Sequence, residues 1–346
     1  MQTLQELTEK LLREGLDTGC YPSACAALGQ GDKVLAEACV GEIPLPGGMP
    51  ADRHTRYDMA SISKIVGPTM IALQAIESGK LRLTDTLGDY FDAPADKRGI
   101  TVKMLMTHTA GLVPTFRLDQ AGIGQSEIAD CILRHPLQET PGKRPIYSCM
   151  GFILLAKILE KLYGKTLDQL AADMVFAPLG LKETAYGPCA APAAATENDP
   201  DTGRPFIGVV HDENARFQNG VSGNAGVFMS LHDAEIFCRM LSAMGAPLIR
   251  RETMEAAIHN YTPEGDDGRG LGFQVLGRNL SFMGGMPLDT FGHTGFTGTS
   301  VAVEPKTGFW AILLSNRVCP TRENVRLMPF RRKFHTQCWQ AMQETI

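Results

Sequence analysis

The sequence has no long basic run. Its longest, Arg331-Arg332-Lys333, sits in a chain of formal net charge -5, so nucleic-acid binding gets no electrostatic support. No apolar stretch approaches the roughly 20 residues that span a bilayer. The N-terminus also lacks the basic start, apolar core and small-residue cleavage site of a signal peptide. The nine cysteines (Cys20, Cys25, Cys39, Cys131, Cys149, Cys189, Cys238, Cys319, Cys338) form no C-x-x-C pair, which argues against a zinc knuckle or thioredoxin-type centre. The eight histidines show no H-E-x-x-H spacing, so no catalytic metal and no other cofactor is expected. G-x-S-x-G, the strained strand-to-helix turn that presents one common type of serine nucleophile, is absent. Gly268-Arg269-Gly270-Leu271-Gly272 is too isolated to suggest a dinucleotide site. Unpatterned thiols and the missing leader lead to an expected cytoplasmic location.

What is present is a chain of 346 residues, 44% of them hydrophobic, enough to bury a core in one large domain or two ordinary ones. Leu4, Leu7, Leu11, Leu12 and Leu16 recur near helical spacing, predicting an amphipathic N-terminal helix. Ala24–Leu28 and Lys33–Val40 read as a hairpin turning at Gly29–Asp32, and Ile43–Pro50 as an irregular loop. A helical pattern runs from Ser61 to Gly79, with Pro68 expected to kink it. Further helices are expected at Val102–Thr107, Gln125–Arg134, Gly151–Leu162, Leu167–Phe176, His232–Met244 and Glu323–Glu344. Strand-like runs occupy Leu271–Leu276, Thr299–Val303 and Trp310–Ser315. This order predicts an α+β fold, with an antiparallel sheet built from both chain ends, flanking helices and an inserted helical region. The expected division is 1–82 with 225–346 for the sheet domain and 83–224 for the helical one, with the active site at their junction.

Three segments carry chemistry. In Ser61-Ile62-Ser63-Lys64, a lysine three residues after a serine shares its helix face and can hydrogen-bond its oxygen. The start of a helix favours developing negative charge. By itself this pattern is as readily produced by chance. Tyr147-Ser148-Cys149 places a phenol before a helix, where it is either a proton acceptor or an ordinary packing tyrosine. Phe291–Thr299 is dense in glycine, implying a strand whose backbone something approaches closely. There the Phe296 N–H can form half of an oxyanion hole, and His293 can supply a cation or a donor. Elsewhere, His211 and Asn224 are candidates for lining the cleft, and His108 is expected to tie a turn.

Taken in order, S-x-x-K, Y-x-x and H-T-G resemble the serine β-lactamase and penicillin-binding superfamily. The likeness is to its class C-like branch of esterases, D-aminopeptidases and D-alanyl-D-alanine carboxypeptidases, and covers nearly the whole chain. Leu105–Leu112 resembles that branch's L-L-T-H-T-S-G-L segment, and Tyr147–Lys161 its Y-S-N/D-x-G-F stretch. Val210–Ala215, Gly220–Phe228 and Leu314–Arg317 extend the likeness. It implies a β-lactamase/transpeptidase-like fold and an acyl-enzyme on Ser61. Lys64 would accept the serine proton or orient Tyr147, and Tyr147 would be the general acid/base. The N–H groups of Ser61 and Phe296 would hold the oxyanion, with His293, Thr294, Gly295 and Cys149 along the substrate. For Lys64 or Tyr147 to act as base near neutral pH, its pKa must fall.

Departures from the pattern bear on the substrate. Cys149 stands where the β-lactamases carry the Asn that contacts the antibiotic's acyl-amide, and a thiol is a poor acceptor. His293 replaces Lys, weakening a fixed positive charge. Asn224 stands where relatives often have His, and nothing in the sequence explains that change. The expectation is an esterase, amidase or acyltransferase on a small, less anionic ester or amide, with weak or no β-lactamase activity. The alternative is a penicillin-binding-like sensor that acylates without turnover. Specificity is expected in the loops Leu112–Gly124, Ala190–Phe206 and Asn279–Leu288.

Overall fold

The run Ser23–Gln30 is small and apolar, and seven of its eight residues are buried. Such a strand has no solvent face, so it belongs inside a sheet covered on both sides. The computed structural model, which describes residues 2–43, 48–190, 192–263, 268–276 and 281–345, places it there. In chain order the strands are β1 (Ser23–Gln30), β2 (Lys33–Ile43), β3 (Met49–Pro50), β4 (Tyr57–Asp58), β5 (Ala185–Tyr186), β6 (Val227–Met229), β7 (Gly268–Arg269), β8 (Gln274–Val275), β9 (Phe291–Thr294), β10 (Ser300–Val303) and β11 (Phe309–Ser315). Eight of them form an antiparallel sheet in the order β3-β2-β1-β11-β10-β9-β8-β7. The expected α+β fold is what is found. Its strands come from the two ends of the chain, while β4, β6 and β5 make a small second sheet.

Strand β11 shows why the sheet has two cores. Successive side chains of a strand point to opposite faces. Phe309, Ala311 and Leu313 join one buried cluster, with Leu11 and Leu12 of the N-terminal helix (Leu4–Asp17) and Phe330, Phe334 and Trp339 of the C-terminal helix (Leu327–Thr345). Trp310, Ile312 and Leu314 join the other, packed against the segment after Ser61 and the central helices. The N-terminal helix is closed by a capping box: Glu6 N–H donates to the Thr3 hydroxyl at 3.2 Å, and Thr3 N–H to the Glu6 carboxylate at 2.8 Å. No helix of the described residues is long and apolar enough to cross a membrane.

Several elements differ from the sequence reading. The pattern from Ser61 to Gly79 is not one helix. It is a 3₁₀ turn (Ala60–Ile62), a wide π turn (Ile65–Thr69) holding Pro68, and an α-helix (Met70–Glu77). Proline cannot donate to the carbonyl one turn back, and widening the turn absorbs that loss without a break. Leu271–Leu276 yields only the two-residue β8, paired with β7. His293 and Thr294 of the H-T-G segment end a strand, β9, and Gly295 follows it. The helix Arg251–Ile258 was not anticipated. Residues 44–47 of the expected loop Ile43–Pro50 lie outside the described residues, as do 279 and 280 of Asn279–Leu288.

Gly29 faces Trp310 across the β1–β11 pair, and a Cβ there would run into the buried indole ring. Gly29→Ala should destabilise the fold by roughly 1–3 kcal/mol through overpacking. Gly99→Ala, where the added atom meets open space, should stay within about 0.5 kcal/mol of the parent. Urea midpoints compare the two, and equal midpoints would contradict the packing described.

Candidate active site

Ser61 owes its place to a strained turn. Ala60, just before it, has φ +44°, a region L-residues avoid. The buried Asp58 carboxylate compensates by accepting the Ala60 N–H at 2.8 Å, while its other oxygen takes the His211 N–H at 2.7 Å. Ser61 is thereby raised to the floor of a cleft of about 520 Å³. Lys64 is fully buried beneath it. Its ammonium donates to Ser61 Oγ at 3.0 Å, to the Asn224 carbonyl at 2.8 Å and to Cys149 Sγ at 3.6 Å. An ammonium has three N–H donors, and all three have acceptors. Burial pushes its pKa down, but the interactions with Cys149 and Tyr147 outweigh burial and hold it above the ordinary lysine value. The fall expected for a lysine base is therefore not found. Lys64 is a cation at neutral pH.

Tyr147 precedes the helix Cys149–Tyr163, whose N-cap Ser148 accepts the Gly151 N–H at 3.3 Å. Two cations flank its ring: Lys64 Nζ at 5.1 Å and the Arg269 guanidinium at 5.3 Å from the centroid. A phenolate formed there would be met by positive charge on two sides. Cys149 opens the helix with its thiol against Lys64, and burial raises its pKa.

Strand β9 carries His293 and Thr294 along the cleft, with Gly295 and Phe296 following. Gly295 lies so close to the Met59 carbonyl that a Cβ would sit 2.5 Å from that oxygen, which brings this strand end against the Ser61 turn. Thr297 and Thr299 fasten it, their hydroxyls donating to the Asp58 and Met59 carbonyls at 2.6 and 3.2 Å. His293 does not supply the cation or donor expected of it. Its Nδ1 lies 2.8 Å from the Thr294 carbonyl, so the proton belongs on Nδ1, and the buried Nε2 is a bare acceptor. Burial and the Lys64 charge push its pKa down to about 3, leaving the ring neutral.

The cleft brings together Ser61, Tyr147, His293, Thr294, Gly295 and Phe296. Lys64, Cys149 and Asn224 lie beneath Ser61 and do not line it; Asn224 Oδ1 accepts from the Ser222 hydroxyl at 2.7 Å. His211 is not in the lining. It is held behind Phe296, its ring stacked at 5.7 Å on that residue and its Nε2 3.1 Å from Glu197, which Arg322 also grips. Among the described residues of the three expected specificity loops, Ser281 and Phe282 line the cleft. The sequence reading missed the rest: Arg269 and Gln274 from β7 and β8, and Met328, Arg331 and Arg332 from the C-terminal helix. The one signal was the short basic run Arg331–Lys333, too short for nucleic acid and therefore set aside.

Arg331 is the most telling of these. It is 4% exposed, its nearest described partner is the Gly295 carbonyl at 3.4 Å, and its Nε has none. Burial and the Arg317 charge lower its pKa to about 9, so it remains charged at neutral pH. Among the described residues no Asp or Glu lines the cleft. A buried guanidinium without a counter-charge is costly.

Comparison with known proteins gives concordant results. The sequence profile of a family described as Beta-lactamase matches residues 8–334. A putative D-alanyl-D-alanine carboxypeptidase of Escherichia coli K12 is 26% identical over 355 residues, covering 89% of this chain and 81% of that protein. Among solved structures, EstCE1, a hydrolase with promiscuous acyltransferase activity, superposes with TM-score 0.80 at 20% identity, covering 96% of this chain and 98% of its own. The octameric penicillin-binding protein homologue from Pyrococcus abyssi superposes at 0.74, with 18% identity and 94% and 76% coverage.

Buried neutral histidines make stability depend on pH. Burial pushes the pKa values of His293 and His335 down from 6.5 to about 3. Below about pH 6.5 the unfolded chain therefore binds protons that the folded chain refuses, and stability falls with acidification until about pH 3. Each such group contributes up to about 1.4 kcal/mol per pH unit in that window. The thermal midpoint should be lower at pH 5 than at pH 7. His335→Gln, which can keep the 3.0 Å bond to Ser300, should flatten the dependence; an unchanged slope would count against a neutral buried His335.

Proposed function

The chain belongs to the beta-lactamase family, and from that premise we propose that it is a serine hydrolase of small esters or amides, acting through an acyl-enzyme on Ser61. The observation that carries this reading is the 3.0 Å contact between the buried Lys64 ammonium and Ser61 Oγ at the floor of an open cleft. A charged Lys64 cannot take the serine proton, so Tyr147 is the group left to accept it. With Tyr147 as the phenolate, Ser61 Oγ attacks the substrate carbonyl and its proton passes to the phenolate oxygen. The resulting phenol returns it to the departing oxygen or nitrogen as the carbonyl re-forms and the leaving-group bond breaks. The Ser61 and Phe296 N–H groups face the developing oxyanion. Water, or an alcohol or amine acceptor, then releases the acyl group by the reverse proton path.

The cleft favours a substrate with a negative group. Sequence reasoning pointed to a less anionic substrate because His293 replaces Lys. The neutral His293 is consistent with its premise, but Arg331 brings positive charge from another element. Phe282, Phe296 and Met328 add an apolar wall. We therefore assign the substrate as a small acyl compound with a carboxylate and an apolar portion. The carboxypeptidase name of the E. coli relative fits such a compound. Cys149 in place of Asn supports weak or no β-lactamase activity. Nine cysteines scattered without a paired pattern support a reducing, cytoplasmic setting.

Turnover of p-nitrophenyl butyrate should vanish in Ser61→Ala and fall by about 10²–10⁴ in Tyr147→Phe. Stoichiometric labelling by a fluorescent penicillin or fluorophosphonate without turnover would instead identify a binder that acylates and stalls. Full activity in Ser61→Ala would end the proposal. For the anion, two esters differing only in a terminal carboxylate should separate in Arg331→Gln, with KM rising on the order of tenfold for the carboxylate ester alone. Equal effects on both esters would refute this role for Arg331.

A further inference from the structure

The short helix Val102–Met106 ends in a turn whose second residue, His108, has φ +57° and is 2% exposed. Asparagine or glycine adopts that backbone conformation far more readily than an imidazole-bearing residue. A side chain kept in this strained place has to be explained by what it touches. Its carbonyl accepts the Ile146 N–H at 2.8 Å, and its Nδ1 accepts the Ser148 N–H at 3.1 Å. These are the two peptide N–H groups on either side of Tyr147. In an extended segment the N–H groups of alternate residues point the same way, so one histidine grips both neighbours of the tyrosine from a single edge.

The ring completes the grip. The His108 and Tyr147 centroids are 4.5 Å apart with the planes 41° from parallel, and Phe152 backs the imidazole at 5.1 Å. Because Nδ1 accepts a hydrogen bond it carries no proton, which places the proton on Nε2. Nε2 is buried without a hydrogen-bond partner among the described residues. Burial, then the charges of Arg269 and Lys64, lower the His108 pKa well below the ordinary histidine value, so the neutral tautomer is kept wherever the enzyme would operate. Protonation would abolish the Nδ1 acceptor and release Ser148.

We propose that His108 is a positioning residue for Tyr147, fixing its backbone from both sides and its ring from one face so that the phenol stays aimed at Ser61 and Lys64. The inference rests on the reading of Tyr147 as the group that exchanges the proton. It assigns His108 no contact with substrate.

Four variants test it: Tyr147→Phe, His108→Ala, His108→Phe and His108→Asn. A misplacement of about 1 Å at a reacting group costs on the order of 100-fold in rate. His108→Ala should therefore lose about 10- to 100-fold in kcat with KM within about twofold, and the acidic limb of the kcat profile should move. His108→Phe keeps a flat ring but no acceptor and should be similarly slow. His108→Asn fits the left-handed backbone and offers a carboxamide oxygen near Nδ1, so it should recover most of the rate. Because the effect runs through the phenol, His108→Phe should cost little further when added to Tyr147→Phe.

If the alanine variant does not fold, the contrast between the phenylalanine and asparagine variants at matched thermal midpoints decides the matter. The proposal is overturned if those two turn over alike, or if the His108 loss is as large in the Tyr147→Phe background as in the parent. Full turnover by Tyr147→Phe would overturn the proton-exchange reading and this inference with it. A slowed Tyr147→Phe, with residual turnover that the His108 substitutions lower as much as they lower the parent's, would overturn this inference alone.

Discussion

The site depends on burying one ammonium. Removing Lys64 from water obliges its three N–H groups to find acceptors: one is local, Ser61 Oγ, and two are distant in the chain, Cys149 Sγ and the Asn224 carbonyl. The cation therefore ties together the Ser61 turn, the start of the helix Cys149–Tyr163 and the loop before β6. That loop can approach because its residues are small. A Cβ on Gly223 would collide with the Phe152 carbonyl, and Gly226 has φ +119°. Larger residues would push the Asn224 carbonyl away and leave a buried N–H without a partner, so the two glycines follow from the lysine.

The same buried charge sets the electrostatics around it. Lys64, Arg269 and Arg331 face or underlie a cleft with no acidic residue in its described lining. Burial, together with the charges of Lys64 and Arg269, lowers the pKa values of His108 and His293. With the histidines neutral and the lysine charged, proton exchange is left to a phenol between two cations. An incoming carboxylate would place a negative group beside Arg331, whose Nε has no hydrogen-bond partner among the described residues. A carboxylate seated there would offset part of the cost of burying that guanidinium, a difference that would favour anionic over neutral substrates.

How far the site could be read in advance depended on whether a contact was local. Ser61 and Lys64 were legible because three residues of helical chain bring them together, and the 3₁₀ turn preserves that spacing. The alternation in β11 and the leucine spacing of the N-terminal helix likewise announce their buried faces. Less visible was anything set by a partner far along the chain. Nothing near His211 shows that Glu197 and Arg322 will hold it behind Phe296. His293 looked like a donor because the adjacent carbonyl that fixes its tautomer is common to every residue. Arg331 stood in the sequence as an ordinary basic residue on an amphipathic helix. Only the crossing of that helix over the end of β9 turns it toward the cleft.

That crossing also links substrate charge to the geometry of the nucleophile. Arg331 contacts the Gly295 carbonyl, which belongs to the same peptide unit as the Phe296 N–H. A peptide is planar and trans, so its C=O and N–H point in opposite directions. A guanidinium held on the carbonyl side therefore constrains where the N–H aims. On the other flank, the Asp58 and Met59 carbonyls receive the Thr297 and Thr299 hydroxyls, while the Asp58 carboxylate holds Ala60. The two N–H groups proposed for the oxyanion, on Ser61 and Phe296, are thus set by a single connected frame. A displacement of the C-terminal helix would be felt at Ser61 through two hydrogen-bonded steps, which is why residues as remote in sequence as 58 and 331 belong to one site.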